Sequence, residues 1–211
     1  FGPPKLGQLL ALEHCGELLV EPIGFPRCEL EGEEWPGQWL TPASVRQWLP
    51  RRGSNSHKRN TGKVLVVAGS TRYPGAGALA TLGALRSGAG LVFTYGPDCM
   101  RLPLEAIPIP SRGECLGPAD VPAILDQLEE VDALCLGPGL GDHPETLEAV
   151  RQLLTRNPLP AVVDADALRA LPEALSPRVL LTPHAGELAR LLRMKASEVE
   201  KDRLRYAVQA A

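Results

Sequence analysis

KVLVVAGSTRYPGAGALA, residues 63–80, joins a short apolar run to a segment rich in small residues. The apolar run, 64–68, is continuous rather than alternating, which is typical of a strand buried on both faces of a parallel sheet. Residues 76–88, which begin inside the small-residue segment, predict a helix that ends at Gly88-Ala-Gly90. A strand followed by a helix is the first part of a βαβ unit.

The same pattern is repeated along the rest of the chain. Further apolar runs predict strands at 91–95, 133–137, 161–165 and 178–182. Helices are predicted from 120 onward, at 144–154, at 166–172, at 185–193 and at 197–211, the last opening with a Ser197-x-x-Glu200 capping box. This alternation predicts an α/β fold, a doubly wound parallel sheet of at least five strands with helices on both faces. In such sheets ligands bind beyond the carboxyl ends of the strands.

The composition argues against several classes of protein. A net charge of −3 does not suit a general nucleic-acid binder, and no apolar run reaches the roughly 18 residues of a membrane span. Five cysteines, an odd number without a C-x-x-C pair, favour reduced thiols over a disulfide framework or a zinc site. We therefore expect a cytoplasmic protein that binds neither nucleic acid nor membrane, and we assign no residue as a metal ligand.

The glycines after the first strand partly fit a dinucleotide fingerprint. Gly75, Gly77 and Ala80 match G-x-G-x-x-G/A, and Asp98 has the spacing of the acidic residue that binds a ribose. However, six residues separate the strand from Gly75, whereas the first fingerprint glycine follows its strand directly. The alternative is that the small residues only allow the helix to pack closely against the sheet.

Two further strand ends carry residues suited to ligands. GPGLGD, 137–142, offers backbone N–H groups before a helix, which suits a phosphate or a ribose; the alternative is a plain turn capped by Asp142. Asp164 and Asp166 follow the next strand at alternating positions, so both carboxylates are expected on one side, suited to hydrated magnesium or a ligand hydroxyl. The alternative for Asp166 is that it caps the helix that begins at Ala167.

The fourth strand end is TPHAGE, 182–187. Thr182 and Pro183 predict the N-cap and the first position of a helix, which places His184 in its first turn. The positive end of that helix disfavours the imidazolium, so a neutral His184 is expected to exchange hydrogen bonds with a ligand at neutral pH. The sequence contains neither a P-loop nor a G-x-S-x-G elbow.

Five stretches together resemble one family. HKRNTGKVLVVAGSTRYPGAGALA, ALRSGAGLV, LCLGPGLG, VVDADAL and LLTPHAGELARLL occur in the order and spacing of the ATP- or ADP-dependent NAD(P)H-hydrate dehydratases, which have the ribokinase-like fold. Residues 57–211 are thus similar to the front part of a dehydratase domain. Residues 1–30 resemble the tail of an NAD(P)H-hydrate epimerase domain, as in bifunctional repair proteins, and residues 31–56 form a linker with one short helix, 41–49.

The resemblance implies a carbon–oxygen lyase that removes water from hydrated NADH or NADPH, with ATP or ADP as co-substrate and Mg²⁺ accompanying the nucleotide. It assigns six residues to the substrate: Ala76, Gly141 and His184 as contacts, Gly75 and Gly139 as turns that make room, and Asp164 as a residue facing the same cleft. The hydrated dinucleotide and an adenine nucleotide are then the partners, and a homo-oligomer stays open.

Family members continue into a K-G stretch and a G-T-G-D turn, which supplies the catalytic Asp and binds the phosphates of the nucleotide. The 211 residues contain neither motif, so the resemblance places the catalytic Asp of the family beyond Ala211. No catalytic residue is assigned within the sequence, since Asp164 and Asp166 belong to another motif. We therefore expect an α/β fold that is incomplete at the C-terminus, and neither dehydratase nor epimerase activity from these 211 residues alone.

Three alternatives stay open at this point. A ribokinase-like kinase of a small alcohol, such as a vitamin precursor, shares the fold. A non-enzymatic NAD-binding module would bind a ribose through Asp98. A scaffold fragment would bind no nucleotide at all.

Overall fold

The computed structural model describes residues 40–50, 53–58, 60–97 and 101–211. The epimerase-like segment, 1–30, and Asp98 lie outside these residues. The chain divides into two compact units, with the boundary between Arg46 and Gln47. The short helix predicted at 41–49 is helix α1, Pro42–Trp48. It begins after Thr41, whose Oγ1 accepts a hydrogen bond from the Ser44 N–H at 3.1 Å.

The second unit is built on six parallel strands. They are β1 (Lys63–Val67), β2 (Leu91–Gly96), β3 (Ile107–Pro110), β4 (Ala133–Leu136), β5 (Ala161–Val163) and β6 (Val179–Leu181), paired in the order β3-β2-β1-β4-β5-β6. The prediction of a doubly wound parallel sheet with at least five strands is therefore confirmed. The sequence patterns do not predict β3, because its Pro108 and Pro110 lack the N–H groups of an ordinary strand; it is accommodated at the edge of the sheet.

Six helices follow α1. In addition, one 3-10 turn precedes α3 and another follows β5. The helices are α2 (Pro74–Arg86), α3 (Val121–Leu128), α4 (Pro144–Arg156), α5 (Ala185–Leu191), α6 (Ala196–Val199) and α7 (Arg203–Ala210), and the 3-10 turns are Pro118–Asp120 and Ala165–Arg169. Within the described part of the chain, none of the helices has the length and apolar character needed to cross a membrane.

The single helix predicted at 197–211 is wrong, since the chain forms α6 and α7 instead. A new N-cap at Asp202 separates them, because its carboxylate accepts a hydrogen bond from the Arg205 N–H at 3.2 Å. The predicted Ser197-x-x-Glu200 capping box is also wrong. α6 begins at Ala196, and it is Glu198 that accepts a hydrogen bond from the preceding Lys195 N–H, at 3.4 Å.

The core has a layer on each face of the sheet. On one face, strand side chains of β1, β4 and β5 pack against helix side chains of α3 and α4. The strand residues include Leu65, Val67, Leu136 and Val163, and the helix residues include Ile124, Val150 and Leu153. On the other face, Val66 and Val92 pack against Ala80 and Ala84 of α2. A Cβ at Gly77 would lie 3.1 Å from the Ala68 carbonyl oxygen, so Gly77 does allow α2 to approach the sheet closely.

A buried carboxylate anchors the loop between β3 and α3. Asp120, only 3% exposed, accepts hydrogen bonds from the Tyr95 hydroxyl at 2.7 Å and from the Gly117 N–H at 2.9 Å. Burial, together with this hydrogen bond, raises the pKa of Tyr95 well above its ordinary value. Asp120 makes no capping bond to α3. The anchored loop in turn accepts a hydrogen bond from the Thr71 N–H, at the Glu114 carbonyl (3.0 Å), and so supports the loop after β1.

Candidate functional site

The candidate site lies where the order of the strands reverses. The chain runs from β1 to one edge of the sheet through β2 and β3, and it returns to place β4 beside β1. The loops after β1 and β4 therefore lead to different helices and leave a crevice at the carboxyl edge. They are joined by two hydrogen bonds, from the Gly69 N–H to the Pro138 carbonyl and from Ser70 Oγ to the Gly139 carbonyl, both of 2.8 Å.

Gly139 allows these two loops to touch. Its φ is +68°, and a Cβ there would lie 2.5 Å from the Ala76 Cβ and 2.9 Å from the Tyr73 Cβ. The predicted contact residue Ala76 thus packs directly against the turn at Gly139. Gly75 is different, since it is exposed and a Cβ there would meet no atom within 4 Å. Only Gly139 of these two glycines is required by the packing of the loops.

An open cleft of about 280 Å³ lies beside this junction. It is lined by residues from four segments: the loop after β1, the loop after β4, the 3-10 turn after β5, and α5 with its N-cap. All six residues assigned to the substrate from the sequence lie in the described part of the chain. Gly141 and His184 line the cleft together, and the other four, Ala76, Gly75, Gly139 and Asp164, do not.

Ala211, beyond which the resemblance places the catalytic Asp of the family, comes after every residue of this cleft in the sequence. It directly follows α7, it is exposed, and its N–H donates a hydrogen bond to the Ala207 carbonyl at 3.2 Å. Neither Ala211 nor any residue of α7 lines the cleft. Ala211 itself is therefore no site residue, and the location of the catalytic Asp beyond it stays a prediction.

Asp166, rather than Asp164, supplies the carboxylate from the strand end after β5. The extended backbone stops at Asp164, because Ala165 has a φ of +53°, a left-handed conformation that is unusual for a residue with a side chain. After this turn, Asp166 lines the cleft and its Oδ2 accepts a hydrogen bond from the Gly141 N–H at 2.9 Å. The proposal that Asp166 caps a helix at Ala167 is therefore wrong, as is the strand-like alternation expected of the two carboxylates.

Asp164 lies at the N-cap position of the 3-10 turn without a capping hydrogen bond from its side chain. Its charge acts on Cys135, which packs beside Val66 on the face of the sheet that α2 covers. Burial raises the pKa of the Cys135 thiol, and the negative charge of Asp164 raises it further.

Replacing Asp166 with alanine is expected to loosen the glycine loop after β4. A hydrogen bond to a charged group contributes about 1.5–3 kcal/mol, so we expect the Gly141 amide to exchange its hydrogen roughly 10- to 100-fold faster. Amide hydrogen exchange followed by NMR measures this directly. Asp164→Ala is the matched control, because Asp164 makes no hydrogen bond with Gly141. Equal exchange rates in the two variants would show that Asp166 does not hold the loop.

His184 is itself the N-cap of α5, which corrects its predicted place in the first turn. Its Nδ1 accepts a hydrogen bond from the Gly186 N–H at 3.0 Å, and the Glu187 carboxylate accepts one from the His184 N–H at 2.8 Å. Thr182 does not cap the helix, because its N–H still donates to the Val163 carbonyl of the sheet. A neutral His184 that accepts at Nδ1 carries its proton on Nε2. His184 Nε2 lies 3.4 Å from Glu187 Oε1, and 73% of the side chain is exposed, so the same N–H can also reach a ligand in the cleft.

Charged and aromatic residues that were not assigned to the substrate from the sequence also line the cleft. Asp142 does not cap α4, the alternative given for its turn, but pairs with Arg169 of the 3-10 turn at 2.6 Å. This hydrogen bond and the charge of Arg169 lower the pKa of Asp142. Tyr73, 44% exposed, lies beneath Arg72, whose guanidinium carbon is 5.3 Å from the ring centroid. Arg190 of α5 lines the cleft as well.

The family model for NAD(P)H-hydrate dehydratase matches residues 64–211. The bifunctional NAD(P)H-hydrate repair enzyme Nnr of Moorella thermoacetica is 39% identical over 100% of this chain and 43% of that protein. The ADP-dependent (S)-NAD(P)H-hydrate dehydratase of Bacillus subtilis is 38% identical over 81% of this chain and 62% of its own length. The chain thus spans less than two thirds of the curated relatives it matches.

The structure is also similar to solved structures of the same family and fold. The ADP/ATP-dependent NAD(P)H-hydrate dehydratase from Bacillus subtilis, co-crystallised with ATP/Mg²⁺, superposes with a TM-score of 0.62 and 33% identity, over 79% of this chain and 60% of that chain. A ribokinase-like superfamily protein from Enterococcus faecalis has a TM-score of 0.65 at 21% identity, over 80% of this chain and 62% of that one, which shows the fold alone. The chain belongs to the NAD(P)H-hydrate dehydratase family and has its ribokinase-like α/β fold.

Proposed function

We propose that this protein acts in the repair of nicotinamide nucleotides, by dehydrating (S)-NAD(P)H hydrate to NAD(P)H at the expense of ATP or ADP. The observation that carries the proposal is that Gly141 and His184, two substrate contacts assigned from separate motifs, line one cleft. That cleft lies at the carboxyl edge of the sheet, where ligands bind in folds of this kind. Membership of the dehydratase family supports the same function.

The chemistry requires binding and orientation more than a protein nucleophile. Hydroxide is a poor leaving group. Phosphoryl transfer to the hydroxyl oxygen of the hydrate forms a new O–P bond, breaks the bond between the terminal phosphorus and the bridging oxygen of the nucleotide, and releases the hydroxyl proton to water. The phosphate then leaves with the electron pair of the C–O bond, and the neighbouring carbon loses a proton to water. In this proposal His184 donates its Nε2 proton in a hydrogen bond to the substrate, and Gly141, with no side chain, leaves room for the dinucleotide.

Mg²⁺ is implied by the family as the ion that accompanies the nucleotide. Nowhere in the described part of the chain do three or more His, Cys, Asp or Glu side chains come together as metal ligands. Two carboxylates of the cleft are already engaged, Asp142 by Arg169 and Asp166 by the Gly141 N–H. The roles proposed for Gly141 and His184 do not depend on the ion.

His184→Ala is expected to weaken the binding of (S)-NADPH hydrate about 3- to 10-fold, the loss of one net hydrogen bond of roughly 0.5–1.5 kcal/mol. Isothermal titration calorimetry with the 211-residue chain measures the dissociation constant. His143→Ala is the matched control, because His143 is exposed and makes no capping bond with its side chain.

NADPH and a set of vitamin precursors belong in the same titrations, since they separate the alternatives. Preferred binding of a vitamin precursor would favour a kinase of small alcohols. Binding of NADPH that is as tight as that of its hydrate would favour a plain NAD-binding module. Flat titrations with every compound would overturn the proposed function.

The remaining parts of the proposal concern the whole protein. Residues 1–30 would belong to an epimerase-type domain, as the bifunctional name of the Moorella relative suggests. We place the protein in the cytoplasm, where hydrated NADH and NADPH would form, and expect the fold to be compatible with a homo-oligomer.

A further inference from the structure

Two of the arginines that line the cleft form no ion pair with a carboxylate of the described residues, although the charge of Arg72 helps to lower the pKa of Asp142. The formal charges of the cleft balance, since three arginines and three carboxylates line it. However, among the described residues each carboxylate has a hydrogen-bond partner, whereas only one of the three guanidinium groups does. Asp142 is paired with Arg169, and Asp166 accepts from the Gly141 N–H. Glu187, whose side chain is only 12% exposed, accepts from the His184 N–H. Each of the three carboxylates thus already has a partner within the protein, although the Asp142 side chain is 63% exposed.

Arg72 and Arg190 are the cations left over. Within the part of the chain that the structure describes, neither guanidinium donates a hydrogen bond to a protein acceptor, and both side chains line the cleft, from the loop after β1 and from α5. Arg72 is held in place by its stacking on Tyr73. A guanidinium carries five N–H donors in a planar fork, which matches the oxygens of a phosphate.

We infer that Arg72 and Arg190 bind the pyrophosphate bridge of the hydrated dinucleotide. This inference rests on the proposed function, and it identifies the part of the substrate that each wall of the cleft recognises. The pyrophosphate carries two negative charges in both NADH hydrate and NADPH hydrate, and the two arginines approach the cleft from different segments. Arg169 takes no part in this binding, because Asp142 already occupies it.

The same arrangement predicts no preference between the two coenzymes at these arginines. An arginine that binds the 2′-phosphate would discriminate NADPH hydrate from NADH hydrate, whereas an arginine that binds the pyrophosphate interacts with both. Each arginine is therefore expected to contribute as much to the binding of NADH hydrate as to that of NADPH hydrate.

The test measures the dissociation constants of (S)-NADPH hydrate and (S)-NADH hydrate by calorimetry, for the 211-residue wild type, Arg72→Ala, Arg190→Ala and the double variant. Each single change is expected to raise both dissociation constants at least roughly 10-fold, as for hydrogen bonds to charged groups. The wild-type affinity is expected to fall between about 50 and 500 mM salt, and the double variant to lose most of that dependence, because salt screens an exposed charge pair. Arg72→Lys is expected to recover part of the affinity, since lysine keeps the charge and loses the fork.

Arg151→Ala is the matched control, because Arg151 lies on α4, pairs with Glu148 at 2.8 Å and does not line the cleft. Melting temperatures of all variants check that exposed substitutions leave the fold intact. If the wild type binds neither hydrate, the proposed function fails. If the wild type binds the hydrates and both arginine variants bind them as tightly as the wild type does, this inference fails and the proposed function stands. A loss seen with NADPH hydrate alone would assign the arginines to the 2′-phosphate and overturn the pyrophosphate assignment.

Discussion

Gly137→Ala is expected to lower the free energy of unfolding by at least about 3 kcal/mol, from backbone strain and overpacking together. Gly137 has a φ of +130°, a region that residues with a side chain rarely adopt. A Cβ there would overlap the Asp164 carbonyl oxygen and lie 2.9 Å from the Ala167 Cβ. The backbone has no freedom to move away, because the Gly137 N–H donates to the Val67 carbonyl and the Asp164 N–H donates to the Leu136 carbonyl.

Urea denaturation followed by circular dichroism measures this loss. Gly141→Ala is the matched control in the same loop, since its φ is +85° but a Cβ there would meet no atom within 4 Å. That variant is expected to lose only about 1 kcal/mol, from the left-handed conformation alone. If both variants lost the same stability, the close approach of the Asp164 backbone and the Ala167 side chain to Gly137 would not be the cause.

Asp120→Ala is the second large effect, with an expected loss of about 3–5 kcal/mol. The carboxylate is buried and accepts from three donors, the Tyr95 hydroxyl and the N–H groups of Gly117 and Arg112. Removing it leaves the buried Tyr95 hydroxyl and the partly buried Gly117 N–H without their acceptor, and each unsatisfied buried group costs roughly 1–3 kcal/mol; the exposed Arg112 can turn to water. The measurement is urea denaturation at pH 7, as for Gly137→Ala.

Two further variants separate the buried network from the loss of a charge. Tyr95→Phe removes one donor and leaves the others, so we expect a smaller loss of about 2 kcal/mol. Asp126→Ala removes an exposed carboxylate from α3 and is expected to change stability by less than about 0.5 kcal/mol. An Asp120→Ala variant as stable as Asp126→Ala would mean that the network contributes no net stability.

The elements of the fold were predictable because their signals are local. A continuous run such as 64–68 and the apolar periodicity of 144–154 involve neighbouring residues, and both elements form close to where they were expected. β3 was not predictable in this way, because a strand with two prolines is stable only at the edge of a sheet that is already formed. The first residue of a helix was harder to predict, as His184 shows. The Thr182 N–H still bonds to the sheet, so the helix begins only after His184.

The site was predictable in part. The carboxyl ends of the strands are where ligands bind in a doubly wound sheet, and this rule, with the family motifs, singled out Gly141 and His184. It did not find Asp166 in contact with Gly141, because the left-handed turn at Ala165 overrides the alternation of a strand. No motif indicated Arg72 or Arg190, because a single arginine carries no local pattern.

The amino-acid sequence alone determined the α/β class, the parallel sheet and the strand ends at which a site was to be sought, since these follow from the burial and periodicity of adjacent residues. The tertiary structure decided which of those ends meet. It placed β4 beside β1, joined Arg169 to Asp142 across 27 residues, and joined Asp166 to Gly141 across 25. Such contacts depend on how elements pack in three dimensions, and so no pattern within a short stretch of sequence specifies them.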